Sequence, residues 1–264
     1  MGLPLFNSMT DPGPNFFEYM HSVGHQPFGQ GAMDEQAHAT TVIAVRCNQG
    51  VVMVADRQAT AAYVASRDIR KIEAADRFTA MAISGSAARG IQFIRIAQLS
   101  FEHYEKMTSS ILSLEGKANF LSPIIQNNNF NSPLYVVPML AGFDPNHNTG
   151  RIFEYDGAGG CYERSDFNVI GSGTQFAEGA LRLGFRPDLD LEEALELAAL
   201  ALYEAGDNDP STGGPDFVRH IYPIMVTLTK DGFQEIEGDA VGERFRRIND
   251  RRAESRGIAG GQLR

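Results

Sequence analysis

The pattern of apolar and polar positions changes character at residue 40. Residues 41–46 alternate toward a half-buried strand, Asn48-Gln49-Gly50 supplies turn chemistry, and 51–55 form a continuous apolar run of the kind buried on both faces. This predicts a hairpin starting at Thr40. A second strand pair is expected at 71–72 and 78–83, ending at Ser84-Gly85-Ser86. The period then lengthens: Ile91, Ile94, Ala97, Phe101 and Tyr104 recur every three or four residues and predict a long helix with one apolar face. A second helix is expected over 117–126, interrupted near Pro123 and followed by a polar loop at 127–132. Strands follow at 134–141, 151–155 and 161–170. The clearest helix in the chain carries Leu191, Ala194, Leu195, Ala198 and Leu202 on one stripe. A last hairpin, 221–229 with 233–236, turns at Lys230-Asp231-Gly232.

This order does not match the strict alternation of a doubly wound parallel sheet, and two antiparallel sheets covered by helices fit it better. Residues 1–39 hold Pro4, Pro12, Pro14 and Pro27 with little periodicity beyond a short helix at 16–23, and read as a leader. The segment 243–264 holds seven Arg against three acidic residues and reads as a solvated helix with a frayed Gly-rich tail.

Composition narrows the function classes. The chain has 264 residues and a formal net charge of -10, which would repel a phosphate backbone and argues against nucleic-acid binding. No apolar run reaches the roughly 18 to 20 residues of a membrane span. The first basic residue is Arg46, so the leader lacks the basic flank of an export signal, and a soluble cytoplasmic protein is expected. Cys47 and Cys161 read as small apolar fillers. The histidines do not form the H-E-x-x-H signature of a helical zinc pair, since Ser22 follows His21. Asp144, Asn146 and Asn148 imitate a calcium loop, but Thr149 stands where its Gly is required. Gly171-Ser172-Gly173 is neither a phosphate loop nor a nucleophile elbow. Neither a metal nor a cofactor is expected.

What remains is Thr40-Thr41 at the mouth of a strand, Asp56-Arg57 at the end of the next, and the run 67–71 ending in Lys71. Singly each has a structural explanation, since Thr favours strands, Asp ends them and a lysine is usually solvated. Together with HATTVIAV at 38–45, ISGSAA at 83–88, FEHYEK at 101–106, LAGFD at 140–144, GSGT at 171–174 and STGGPDFVRHIYP at 211–223, they form ordered blocks over about 38–236. In these blocks the chain resembles the beta subunits of the bacterial, actinobacterial-type proteasome core particle.

The resemblance implies an N-terminal nucleophile hydrolase, a four-layer α/β/β/α sandwich of two antiparallel sheets. It implies a propeptide, 1–39, removed by self-cleavage between Ala39 and Thr40; a peptidase domain, 40–240; and an Arg-rich C-terminal segment, 241–264. Thr40 matches the nucleophile, Asp56 and Lys71 the buried acid and lysine, and Ser172, Asp209 and Thr212 the residues completing the polar network. Gly85 matches the oxyanion donor, and Ala59, Thr60, Ile69, Ile83 and Ala87 the pocket for the residue before the scissile bond. That pocket, mainly apolar, implies cleavage after hydrophobic side chains. Implied partners are alpha subunits and other beta subunits in stacked seven-membered rings, a ring-shaped ATPase or activator, and unfolded protein substrates. The chain departs from the pattern at Ala39, where Gly is usual, at Gln58, where Arg is frequent, and in a loop at 61–63 that is one residue shorter. Alternatives are a silent structural ring subunit, a peptidase of six-membered rings and an amidohydrolase acting on small amides.

Overall fold

The computed structural model describes residues 40–60, 64–130 and 136–255. The expected leader, its cleavage residue Ala39, the 61–63 loop and the terminal tail lie outside them. Two five-stranded antiparallel sheets form the centre, with strand orders β10-β1-β2-β11-β12 and β5-β6-β7-β8-β9. In the first, β1 (Thr41–Cys47), β2 (Gly50–Ala55), β10 (Phe167–Gly171), β11 (Ile224–Thr229) and β12 (Gly232–Glu235) pair. In the second, β5 (Ile72–Asp76), β6 (Thr79–Gly85), β7 (Val136–Asp144), β8 (Thr149–Tyr155) and β9 (Cys161–Arg164) pair. A small pair, β3 (Ala59–Thr60) and β4 (Val64–Ser66), stands apart.

The period-2 alternation of strands sorts side chains into layers. Val42, Ala44, Val51, Met53 and Ala55 meet Ile72, Ala80, Ala82 and Met139 between the two sheets. Their neighbours Ile43, Val45, Val52 and Val54 point the other way, onto α3 (Thr174–Gly184), α4 (Leu191–Asn208) and α5 (Gly238–Ser255). On the opposite side, Met81, Ile83 and Leu140 pack against α1 (Ala87–Thr108) and α2 (Leu114–Phe130). The result is the four-layer α/β/β/α sandwich.

Several elements differ from their sequence reading. The apolar face of α1 is rotated: Phe93, Ile94, Ala97 and Phe101 are buried, while Ile91 and Tyr104 are 41% and 38% exposed. Helix α2 runs through Pro123 into the expected polar loop, because Ala118, Leu121 and Ile125 bury a stripe on the second sheet that outweighs one missing N–H. The single strand expected at 161–170 is two strands belonging to different sheets, with the chain crossing between them at 165–166. Helix α3 has no counterpart in the periodicity reading; its N-cap is Gly173 with no side-chain cap, so the usual start signal is missing. By contrast α4 opens on a full capping box, Asp190 with Glu193.

The C-terminal helix is docked, not solvated. Val241, Phe245 and Ile248 are buried in the helical layer, and Arg244 bonds Glu192 and Glu196 on α4 at 2.8 and 2.5 Å. Arg247 and Arg251 also reach Glu196, at 3.1 and 3.0 Å. Helix α5 starts at Gly238, ahead of the expected boundary at 241. The arginines that look like a solvated run in one dimension are the pairing face of this helix.

Gly171 closes the edge of the first sheet beside Thr40. Its φ is +114°, and a Cβ there would overlap the Thr40 carbonyl oxygen. Gly171→Ala is therefore expected to lower stability by about 3 kcal/mol or more, read as a fall in the urea midpoint. Gly179→Ala, on α3 with no neighbour within 4 Å of its added methyl, serves as the control and should be neutral or stabilising.

Candidate active site

Thr40 immediately precedes β1 and is 5% exposed. Its carbonyl accepts the Ser172 N–H at 3.1 Å, so it continues the register of the β1–β10 pair, in which Thr41 faces Gly171. By strand alternation Thr40 belongs with Val42 and Ala44, whose side chains lie between the sheets, and Thr41 belongs with Ile43 on the helical side. The two threonines thus serve different layers.

Asp56 follows β2, opposite Thr41, and is fully buried. Lys71 precedes β5 and is 3% exposed. The Lys71 Nζ donates to Asp56 Oδ1 at 2.6 Å and to the Gln58 carbonyl at 2.5 Å. Asp56 Oδ1 also accepts the Thr41 N–H at 2.9 Å, while Oδ2 accepts the N–H groups of Gln58 and Gly213, both at 3.0 Å. One carboxylate therefore takes a cation and three backbone donors, which is what a buried charge requires. Burial holds the Lys71 pKa below its ordinary value near 10.5, opposed by the nearby charges of Asp56 and Asp209.

A second polar cluster sits on the helical side of β1. Ser172 Oγ donates to Asp209 Oδ2 at 2.5 Å, and Thr212 Oγ1 donates to the same oxygen at 2.6 Å. Asp209 Oδ1 accepts the Ser211 N–H at 3.1 Å. Asp209 is the C-cap of α4, its backbone N–H donating to the Ala205 carbonyl, so the end of that helix places the carboxylate. The structure thus brings Asp56 to Lys71 and, separately, Ser172, Asp209 and Thr212 together, with Thr40 at the strand mouth between the clusters.

Gly85 ends β6 with φ +98°, a conformation suited to glycine. The strand that carries it is tied to Lys71, whose carbonyl accepts the Ile83 N–H at 3.2 Å. Ile83 is 4% exposed and packs on the Gly90 turn of α1. Ala59 is buried in β3, and Ile69 is half-buried with its N–H on the Arg57 carbonyl at 2.9 Å. The side chains of Thr60 and Ala87 lie outside the described residues.

Sequence reasoning missed four contributors. Thr41, passed over in favour of its neighbour, supplies an N–H to Asp56. Its hydroxyl accepts the Gly173 N–H at 3.0 Å and lies 2.6 Å from Thr212 Oγ1. Gln58 contributes backbone N–H and carbonyl to Asp56 and Lys71, and its side chain donates to the Pro210 carbonyl at 3.3 Å. Gly173 and Gly213 act through N–H groups that no residue-type pattern advertises. The STGGPD block was a usable signal for Gly213, because it places that amide beside Thr212.

Known proteins resemble this chain over most of its length. A family model described as proteasome subunit matches residues 36–221. A proteasome subunit beta of Acidimicrobium ferrooxidans is 41% identical over 244 residues, covering 90% of this chain and 89% of its own. One from Stackebrandtia nassauensis is 42% identical, covering 84% and 85%. Another, from Frankia alni, is 42% identical, covering 80% and 78%. With the sandwich, the buried Asp56–Lys71 pair and this similarity over most of its length, the chain belongs to the proteasome subunit family.

Proposed function

We propose that this chain is the catalytic beta subunit of a proteasome core particle, a threonine endopeptidase made with a leader that it removes itself. The observation that carries the reading is the buried Lys71–Asp56 pair, closed by the Thr41 N–H next to Thr40. A silent subunit would bear the desolvation of this pair, several kcal/mol per ion, without using it.

Self-cleavage of the Ala39–Thr40 bond frees the Thr40 α-amine, whose ordinary pKa of about 7.7 to 8 suits a base at neutral pH. In peptide hydrolysis the Thr40 hydroxyl passes its proton to that amine while Oγ bonds to the substrate carbonyl carbon. The oxyanion takes a hydrogen bond from the Gly85 N–H. Collapse breaks the peptide C–N bond, the amine of Thr40 hands the proton to the leaving nitrogen, and water then hydrolyses the acyl ester. Lys71 commits two of its three N–H donors among the described residues, and the third is the one we assign to Thr40 Oγ. Its positive charge disfavours a protonated amine nearby and stabilises negative charge on Oγ. The branched Thr side chain restricts χ1 and so aims Oγ.

Among the described side chains the proposed pocket for the residue before the cleaved bond rests on Ala59, Ile69 and Ile83, whose apolar character favours hydrophobic side chains there. Stacked seven-membered rings of alpha and beta subunits, opened by a ring-shaped ATPase or activator, would admit only unfolded chains. Exposed Ile96, Leu99 and Met107 on α1, at 47%, 68% and 71%, support a face that meets other subunits. No helix of the described residues is long and apolar enough to cross a membrane, and the proposed compartment is the cytoplasm.

Co-expression with an alpha subunit tests the reading. The expected product is a particle whose beta chains begin at Thr40 by intact mass and which cleaves fluorogenic peptides after hydrophobic residues. Thr40→Ala should retain the leader and lose turnover by at least ~1000-fold. Preference for acidic or basic peptides would refute the pocket assignment, and an active Thr40→Ala particle would refute the nucleophile.

Asp56→Asn tests the ion pair. It leaves the Lys71 ammonium buried with an amide in place of its counter-charge, so a loss of about 3 to 5 kcal/mol is expected at pH 7. Removing Asp56 lowers the Lys71 pKa further below its unfolded value. The unfolded chain then binds more protons than the native one between those two values, so stability of the variant rises with pH in that window. Urea titrations at neutral and alkaline pH should show the deficit against wild type shrinking as pH rises.

A further inference from the structure

We propose that Thr41 is a positioning residue for the reaction at Thr40: its hydroxyl holds the turn that carries Ser172 against the loop that carries Asp209. The inference rests on the reading of Thr40 as an N-terminal nucleophile and adds a role to its neighbour.

Thr41 is completely buried, Thr212 is 4% exposed and Asp209 is 7% exposed, so each hydroxyl has a defined and dry set of partners. Thr212 has one hydroxyl proton and gives it to Asp209 Oδ2 at 2.6 Å, since a carboxylate only accepts. The 2.6 Å contact between Thr41 Oγ1 and Thr212 Oγ1 must therefore use the proton of Thr41. Thr41 Oγ1 in turn accepts the Gly173 N–H at 3.0 Å. The chain of bonds runs one way, from the Gly173 N–H through Thr41 and Thr212 to Asp209. Ser172 has already given its proton to the same Asp209 oxygen at 2.5 Å. Toward an amine released at Thr40, Ser172 Oγ can then only accept. An amine that donates to Ser172 keeps its lone pair for the Thr40 hydroxyl proton.

Thr41 is the point where the two segments are joined. Its one oxygen holds the turn that carries Ser172, through Gly173, and the loop that carries Asp209, through Thr212. The fit is close: a Cβ on Gly173 would stand 2.5 Å from Thr41 Oγ1 and 2.9 Å from Thr212 Oγ1. The backbone of Thr41 meanwhile donates to Asp56. A single residue therefore couples the Lys71–Asp56 pair on one side of Thr40 to the Ser172–Asp209 pair on the other.

Thr41→Val keeps the shape and removes the hydroxyl bonds, and Thr41→Ser restores the hydroxyl. Particles of both, of Thr212→Val, and of Thr41→Val/Thr212→Val are assayed with a hydrophobic fluorogenic peptide, with rates normalised to chains that intact mass shows to begin at Thr40. Thr41→Val should lower kcat roughly tenfold or more with KM within about twofold. The acidic limb of the kcat profile should move to lower pH, because an amine that loses its acceptor is harder to protonate among Lys71, Asp56 and Asp209. Thr41→Ser should recover both, and the loss in the double variant should be less than the sum of the two single losses because Thr41 acts in part through Thr212. Wild-type kcat and pH profile in Thr41→Val, additive losses in the double variant, or no recovery in Thr41→Ser would overturn the proposal. Thr212→Val, distant in sequence from the processing bond, keeps the test decisive if Thr41→Val sheds its leader slowly. An active Thr40→Ala particle would remove the underlying reading instead, so the two failures are distinguishable.

Discussion

A lysine ammonium taken out of water and held against a single carboxylate is the constraint on which the remainder of this structure depends. Lys71 and Asp56 lie at the ends of strands in different sheets, and both are buried. Burying two charges costs several kcal/mol per ion unless the geometry satisfies nearly every lone pair. Asp56 meets that condition by accepting from Lys71, Thr41, Gln58 and Gly213. Those four donors come from the residue before β5, the start of β1, the chain after β2 and the loop after α4. Satisfying one carboxylate therefore fixes the relative position of four separate segments, and the strand mouth at Thr40 is what they surround.

The second consequence is a division of labour between adjacent residues. Alternation along β1 sends Thr40 toward the space between the sheets and Thr41 toward the helices. The Thr41 side chain closes a polar cluster on the helical side while its backbone closes the ion pair. A threonine pair that looks redundant in one dimension is not redundant in three. The glycines flanking Ser172 follow from the same crowding, since Gly171 lies against the Thr40 carbonyl and Gly173 against the Thr41 hydroxyl.

The outer layers illustrate how tertiary contact overrides local pattern. On α1 the stripe Ile91, Ile94, Ala97, Phe101 and Tyr104 has helical spacing, yet the sheet beneath it selects Phe93 and leaves Ile91 and Tyr104 in solvent. The arginines of α5 find Glu192, Glu196 and Glu204 on α4, so a run of like charge becomes the complement of another helix's acidic face. Glu196 is held below the ordinary carboxylate range even though burial acts to raise it, because the three arginines around it outweigh desolvation.

The sequence by itself determined the class of fold and the residue types at the site. Short-range periodicity places β1, β2, β6, α1 and α4 close to where they form, and the spacing of Thr40, Asp56 and Lys71 within ordered blocks carries the family resemblance. What it could not decide was which sheet a strand joins, as with 161–170, where an uncapped helix begins, as with α3, and where the edges of the buried face of α1 fall. Nor could it show that Thr41, Gln58, Gly173 and Gly213 build the site, because all four contribute backbone groups that every residue possesses. Periodicity is a property of neighbours along the chain, whereas the satisfaction of a buried charge is a property of neighbours in space, and only the folded chain brings those donors to Asp56.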